Sequence, residues 1–199
     1  MQLALPPGLK LPHEDLGRAM QWGHVVRDIE TTARHYSELF GIGPWIVVTD
    51  YSAYRYKFRG QTVQPDTWIA FSYLGDLQIE LIQQRNDAPT PYTEFLASGR
   101  EGLQHIGIFP EDYNAARKRL EGAGMHSIYD IWPPGSDNPT QYYEAPASLG
   151  LMIELIEMIP LRRKAFNAIR QTVETWDGTN PIRVYGSMAQ FLADEGIAL

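Results

Sequence analysis

Two stretches of the chain repeat one plan, and that repetition constrains the fold more than any other feature. His24, Glu30, Leu39 and Gly41 recur, in the same order and at the same spacing, as His105, Glu111, Leu120 and Gly122. An ordered set of matches points to an internal duplication of one supersecondary unit. In the first copy, Ala19 to Val26 reads as a short buried strand. Asp28 then caps a helix whose apolar residues Ile29, Ala33, Tyr36 and Phe40 share one face, and Gly41 ends it. Trp45 to Tyr51 is β-branched and apolar, and Tyr54 to Phe58 alternates aromatic with cationic residues. Thr67 to Leu74 and Leu77 to Gln83 are further strands around the hairpin pair Gly75 and Asp76, so the block reads βαβββ.

The second copy has the same parts. Leu103 to Phe109 is a strand, and Asp112 caps a helix carrying Tyr113, Ala116 and Leu120 on one face. Strands follow near Ser127 to Trp132, Gln141 to Glu144 and Leu151 to Met158. The expected organisation is an arm over residues 1–18, a first module over 19–84, a linker over 85–101 with at most one short helix, a second module over 102–159, and a helical tail over 160–199. In that tail Phe166, Ile169, Val173 and Trp176 form one apolar stripe, with Met188, Phe191 and Leu192 in a second short helix. It reads as a packing or dimer element. The fold class is α+β: two tandem βαβββ modules whose strands curve as one cupped mixed sheet around a shared cavity, with a C-terminal helical extension.

Composition narrows the chemistry. With no cysteine among 199 residues, disulfides, thiolate catalysis, zinc fingers and iron–sulfur ligation are all excluded, and any metal must use His and carboxylate. That lack fits a cytoplasmic location. A net charge of −7 with only four lysines argues against a nucleic-acid partner. No apolar run approaches the roughly 18 residues of a membrane span. A small molecule is the expected ligand, and a homodimer the expected assembly.

Each half opens on a histidine in its first strand and closes on a glutamate between isoleucine and leucine: Ile79, Glu80, Leu81 and Ile153, Glu154, Leu155. A carboxylate inside an apolar strand is expensive to desolvate unless it is paired or holds a cation. His24, Glu80, His105 and Glu154 are therefore the candidate ligands of one divalent metal, a donor set that suits Zn, Fe, Mn, Co or Ni. Singly, each histidine also reads as a hydrogen-bonded strand residue; His13, His35 and His126 read as surface or packing. The segment from Tyr54 to Arg59 is either a solvated hairpin face or a wall on which cations hold an acidic substrate group and aromatics shape the pocket. Arg55, Tyr56, Trp68, Trp132 and Tyr143 are the candidate substrate-binding residues.

At GHVVRDIETTARHYSELFGIGPW from Gly23, GDLQIELIQ from Gly75, GLQHIGIFPEDYNAARKRLEGAGM from Gly102 and SLGLMIELIE from Ser148, the chain resembles the vicinal oxygen chelate superfamily. That superfamily includes glyoxalase I, methylmalonyl-CoA epimerase, extradiol dioxygenases and the bleomycin and fosfomycin resistance proteins. The likeness covers roughly residues 19–159 and implies paired βαβββ modules cupping one divalent metal, with ligands carried over to His24, Glu80, His105 and Glu154. It implies an isomerase, epimerase or lyase acting through a metal-stabilised enolate beside a carbonyl, with Glu154 as first and Glu80 as second choice of base. The epimerase branch calls for an opposing acid or base on the strand before Glu80. Thr67 to Tyr73 holds no carboxylate, which leaves Tyr73 or a water in that role. Two alternatives are a non-haem Fe(II) extradiol-type dioxygenase and a non-catalytic binding or resistance protein of the same fold.

Overall fold

The computed structural model describes residues 16–197. His13 and most of the expected N-terminal arm lie outside the described residues. One mixed sheet runs through the molecule. Its strands are β1 (Arg18–Val25), β2 (Trp45–Val48), β3 (Arg55–Phe58), β4 (Gln61–Val63), β5 (Thr67–Leu74), β6 (Leu77–Gln84), β7 (Gly102–Phe109), β8 (Ser127–Trp132), β9 (Thr140–Glu144), β10 (Met152–Leu155) and β11 (Ile182–Tyr185). The spatial order is β11-β2-β5-β6-β1-β7-β10-β9-β8-β3-β4.

Duplication is visible in the pairing. The order β2-β5-β6-β1 of the first half is mirrored by β8-β9-β10-β7 in the second, with β6 parallel to β1, β10 parallel to β7, and β1 antiparallel to β7 at the seam. Each half carries one helix between its first two strands: α1 (Ile29–Phe40) and α3 (Tyr113–Gly122). Both start on an aspartate whose side chain accepts a backbone N–H of the first turn, Asp28 from Thr31 and Asp112 from Ala115. Gly41 closes α1 at φ 66°, the left-handed conformation glycine adopts without strain. The helices cover one face of the sheet. Ile29 and Ala33 pack on Trp45, Val47, Ala70, Ile79 and Leu81; Tyr113, Ala116 and Leu120 pack on Ile108, Tyr143 and Leu155.

Two elements depart from the expected modules. The alternating segment Arg55–Phe58 is a strand, but it leaves the first half and pairs antiparallel with β8 of the second, carrying β4 with it as the sheet edge. At the opposite edge β11, from the tail, adds a strand parallel to β2 that the sequence reading did not include. The connection between the halves contains one helix, α2 (Pro91–Ala97), capped by Thr90.

The tail packs into the core. Its helices α4 (Pro160–Glu174) and α5 (Met188–Asp194) lie on the sheet face opposite α1, where Phe166, Ile169, Phe191 and Leu192 pack against Ile46, Phe71 and Tyr73. Alternation along the strands explains this placement: Ile46 and Phe71 are register partners on one face, while Trp45, Val47 and Ala70 turn to the other. α4 therefore walls the concave side of the first half. Among the described residues no helix is long and apolar enough to cross a membrane.

Candidate metal centre and cavity

Strand register decides which side chains meet. Gly23 of β1 pairs with Glu80 of β6 and with His105 of β7, and Gly107 of β7 pairs with Glu154 of β10. Cross-strand partners point to the same face. Glu80, His105 and Glu154 thus converge at the seam, with one ligand atom from each all within 4.8 Å of one another. His105 Nε2 lies 3.2 Å from Glu80 Oε2 and 3.3 Å from Glu154 Oε2. All three are buried, His105 completely.

His24 is the exception, and this corrects its expected place among the ligands. It pairs with Leu81 and Leu103, one residue out of phase with Gly23, so its ring points to the α1 side of the sheet. There its Nδ1 faces the Trp22 carbonyl at 3.3 Å, and its Nε2 accepts the Tyr36 hydroxyl at 2.9 Å. Both nitrogens are satisfied as a neutral ring, and burial lowers its pKa. His24 is a hydrogen-bonded structural histidine.

Gln21 takes the position His24 does not fill. It stands two residues before Gly23, as His105 stands two before Gly107, and it faces the cavity from β1. Its Nε2 donates to Gln78 Oε1 at 2.8 Å, and Gln78 Nε2 donates in turn to the Tyr73 hydroxyl at 2.9 Å. Fixing the amide this way leaves Gln21 Oε1 buried without a hydrogen-bond partner. The repeated pattern Gln21-Trp22-Gly23 and His105-Ile106-Gly107 is the signal that could have identified it.

These residues fit a divalent cation. Gln21 Oε1 and Glu154 Oε2 are buried acceptors without hydrogen-bond partners. Leaving such atoms unpaired costs on the order of 1–3 kcal/mol each. The His105 Nδ1–H donates to Gln104 Oε1 at 2.9 Å, and Gln104 is itself held by the Pro91 carbonyl, which aims Nε2 at the carboxylates. A Cβ on Gly23 would overlap the His105 ring, so only glycine leaves room for the imidazole at this crossing. Three oxygen donors and one imidazole suit a borderline divalent ion. Without such an ion a proton must keep Nε2 and the carboxylates together. Burial disfavours the imidazolium, but Glu154 and Glu80 outweigh it and push His105 up to about 9. Burial, helped by repulsion from Glu154, raises Glu80 to about 7.

The centre opens into a cavity of about 370 Å³. Tyr56, Tyr92, Tyr129 and Tyr142 line it from the second half's side, and Phe71, Ala165 and Phe166 from the first half and α4. Of the expected substrate-binding residues, Tyr56 lines the cavity. Arg55 is exposed on β3 and stacks over Trp132, 5.4 Å from the ring centroid, so these two form an outer hairpin face. Trp68 turns to the α1 side under Arg85, and Tyr143 packs beneath α3 with its hydroxyl on Gln141. Neither reaches the cavity, because strand alternation sends each to the other face. Tyr73 donates to the Phe166 carbonyl and receives Gln78; it belongs to the chain that holds Gln21 and not to the cavity lining.

Arg162 was not anticipated. It enters the cavity from the first turn of α4, its Nη1 on the Glu157 carbonyl at 2.6 Å and its Nη2 on Thr140 Oγ1 at 3.1 Å. In sequence it is one of several cations on an amphipathic helix, and nothing there marks it.

Residues 20–143 match the sequence profile of the Glyoxalase/Bleomycin resistance protein/Dioxygenase superfamily. No curated protein sequence matches the chain. Among solved structures, a hypothetical protein from Bacillus halodurans C-125 superposes with TM-score 0.54 at 18% identity, covering 71% of this chain and 94% of its own. A Streptomyces coelicolor methylmalonyl-CoA epimerase in complex with 2-nitronate-propionyl-CoA gives TM-score 0.54 at 17% identity, covering 73% and 96%. A methylmalonyl-CoA epimerase in complex with methylmalonyl-CoA and NH4+ gives 0.52 at 18%, with the same coverage. At such identities the likeness is one of fold. The profile match spans more than half of the chain, and the paired modules around a seam of facing strands agree with it: this protein belongs to the glyoxalase/bleomycin resistance/dioxygenase superfamily, the vicinal oxygen chelate fold.

Proposed function

We propose that the protein is a divalent-metal-dependent isomerase, epimerase or lyase that moves a proton at a carbon beside a carbonyl of a small oxygenated substrate. The observation that carries this reading is the meeting of Glu80, His105 and Glu154 with Gln21 at the floor of an apolar cavity. Bound there, a divalent cation supplies Lewis acidity toward adjacent substrate oxygens. The chain supplies the rest. Gln21, Glu80 and His105 hold the centre, and the tyrosines and Phe166 exclude water. Glu154 is the base: it lines the cavity, and its Oε2, 3.3 Å from His105 Nε2, makes no hydrogen bond of good geometry, whereas Glu80 Oε2 is hydrogen-bonded to that nitrogen at 3.2 Å. Glu80 is the second choice. Tyr73 is set aside as an opposing base, since its hydroxyl is engaged away from the cavity. A single-base reaction fits this arrangement better than a two-base epimerisation.

A specific observation weighs against the dioxygenase alternative. With His24 turned to the other face, the centre holds one imidazole and two carboxylates, not the two-histidine, one-carboxylate set of extradiol enzymes.

The test is hydrogen exchange. Small 2-oxo and 2-hydroxy carbonyl compounds incubated with protein and Mn, Co, Ni or Zn in D2O are followed by NMR. The reading predicts cation-dependent deuterium at the carbon beside the carbonyl, reduced by about 10²–10⁴ in Glu154→Gln. Cation-independent exchange, or a fully active and folded Glu154→Gln, would overturn it.

A further inference from the structure

The centre is one end of the cavity; the other end carries a different chemistry. Glu154 pairs with Tyr142, while Thr140, which receives Arg162 Nη2, stands two residues along the same strand. Two residues of a strand span roughly 7 Å, so Thr140, which holds the guanidinium, is displaced by about that much along the strand from the residue paired with Glu154. Beside it, the Tyr51 hydroxyl is buried, lines the same cavity and has no hydrogen-bond partner. Burial raises the Tyr51 pKa, which keeps the phenol a proton donor, and Arg162 acts electrostatically on both Tyr51 and Tyr54. An arginine hydrogen-bonded to two neutral oxygens and a phenol with no acceptor together present donors and positive charge; Glu154, Glu157 and Glu80 act on the guanidinium electrostatically, but its two hydrogen bonds go to the Glu157 carbonyl and the Thr140 hydroxyl.

Charge counting gives the same answer. The charges of Glu80 and Glu154 are balanced by a divalent cation, or by protons shared with His105. In either state Arg162 is the remaining charge inside, since Asp50, the other charged lining residue, is exposed at the rim. Once Glu80 and Glu154 are neutralised, a guanidinium left in an apolar cavity with only the Glu157 carboxylate, itself held by Asn138, is costly unless a ligand brings the opposite charge.

We propose that the cavity takes a small organic monoanion: a flat apolar body with a carboxylate at one end, held by the Arg162 guanidinium and the Tyr51 hydroxyl, and a carbonyl oxygen at the other end, directed to the Glu80, His105 and Glu154 centre. This rests on the cavity being the ligand site, as in the function proposed above, but the anion subsite itself does not need the cation. Arg162 is a specificity residue and takes no part in proton transfer. The tail is then what gives this chain its substrate class, because Arg162 lies on α4, outside the duplicated modules.

The probes are 4-acetylbenzoate and its uncharged counterpart 4-acetylbenzamide, matched in shape, with affinities read by calorimetry. The intact chain should bind the carboxylate at least tenfold more tightly than the amide. In Arg162→Met the two affinities should converge to within about twofold through loss of carboxylate binding alone, and Arg162→Lys should keep part of the preference. Thermal melting of each variant checks its fold, and the comparison on the unsubstituted chain stands even if Arg162→Met fails to fold. Repeating the titrations with cation removed separates the two readings: the carboxylate preference persists there, even if no cation ever binds. Equal affinities for the two probes, no binding of 4-acetylbenzoate at millimolar concentration, or a preference that survives Arg162→Met would overturn the proposal.

Discussion

β1 and β7 are the same strand twice, and they differ where it matters. Both carry a donor two residues before a glycine that pairs with its own half's buried glutamate, and both are followed by an aspartate-capped helix. In β7 the donor is His105, an imidazole that can hold a proton or a cation. In β1 it is Gln21, an amide that can accept but does not titrate near neutral pH. The carboxylates, Glu80 and Glu154, are kept in both halves. Duplication thus supplies the geometry, and divergence at one position leaves a single titrating base among the first-strand donors.

The largest expected effect breaks this comparison directly. His105→Ala should weaken divalent-cation affinity by at least about a hundredfold, more than loss of an outer hydrogen-bond partner costs. His24→Ala should leave it within about twofold, although each histidine lies in the first strand of its half. Calorimetric titration of each variant with the same cation decides it; equal losses would return His24 to the ligand set.

The glycines sharpen it next. Gly23→Ala drives a methyl group into the rigid His105 ring, whereas at Gly107 the obstacle is the Gln21 side chain, with Oε1 at 2.5 Å. Overpacking of this kind costs roughly 1–3 kcal/mol, and Gly23→Ala should sit at the upper end and also impair cation binding. Gly107→Ala should cost less. Chemical unfolding of the two variants side by side measures the difference.

Protonation gives a third contrast. In the cation-free protein the folded state binds protons more tightly at both Glu80, raised from 4.5 to about 7, and His105, raised from 6.5 to about 9. The associated stability is fully present below the unfolded-state values and lost as pH climbs through the folded ones, so the melting temperature should fall from about pH 4.5 to about pH 9, the lower part from Glu80 and the upper part from His105. Because Glu80 and His105 are hydrogen-bonded and share the proton, the combined effect is on the order of 2 kcal/mol, several degrees. A saturating divalent cation should flatten the curve, because it takes the proton's place. Gln21→Leu, by contrast, should leave the pH dependence in shape and lower only the cation's stabilising shift.

The helices were the most legible part of the sequence. Asp28 and Asp112 cap runs with one apolar face, and the Phe166, Ile169 and Val173 stripe marks α4; such local signals survive without knowledge of the fold. Glu80 and Glu154 were legible as expensive charges in apolar strands. Pairing partners were not. Arg55–Phe58 alternates as any half-exposed strand does, and only its register with Ser127–Trp132, far along the chain, places it in the second half. His24 misled because an error of one residue in a strand reverses the face, and matching histidine with histidine across the repeat introduced a shift of three, from Gln21 to His24. Arg162 had no local signature, because what makes it unusual is the cavity wall around it.

The central claim is that Gln21, Glu80, His105 and Glu154 surround one cation. Anomalous diffraction from crystals grown with cobalt tests it most directly. The account predicts one strong peak per chain at the seam, within coordinating distance of Glu80, His105 and Glu154 and with Gln21 Oε1 turned toward it. No peak at the seam, or a peak held by His24 on the α1 side of the sheet, would contradict it.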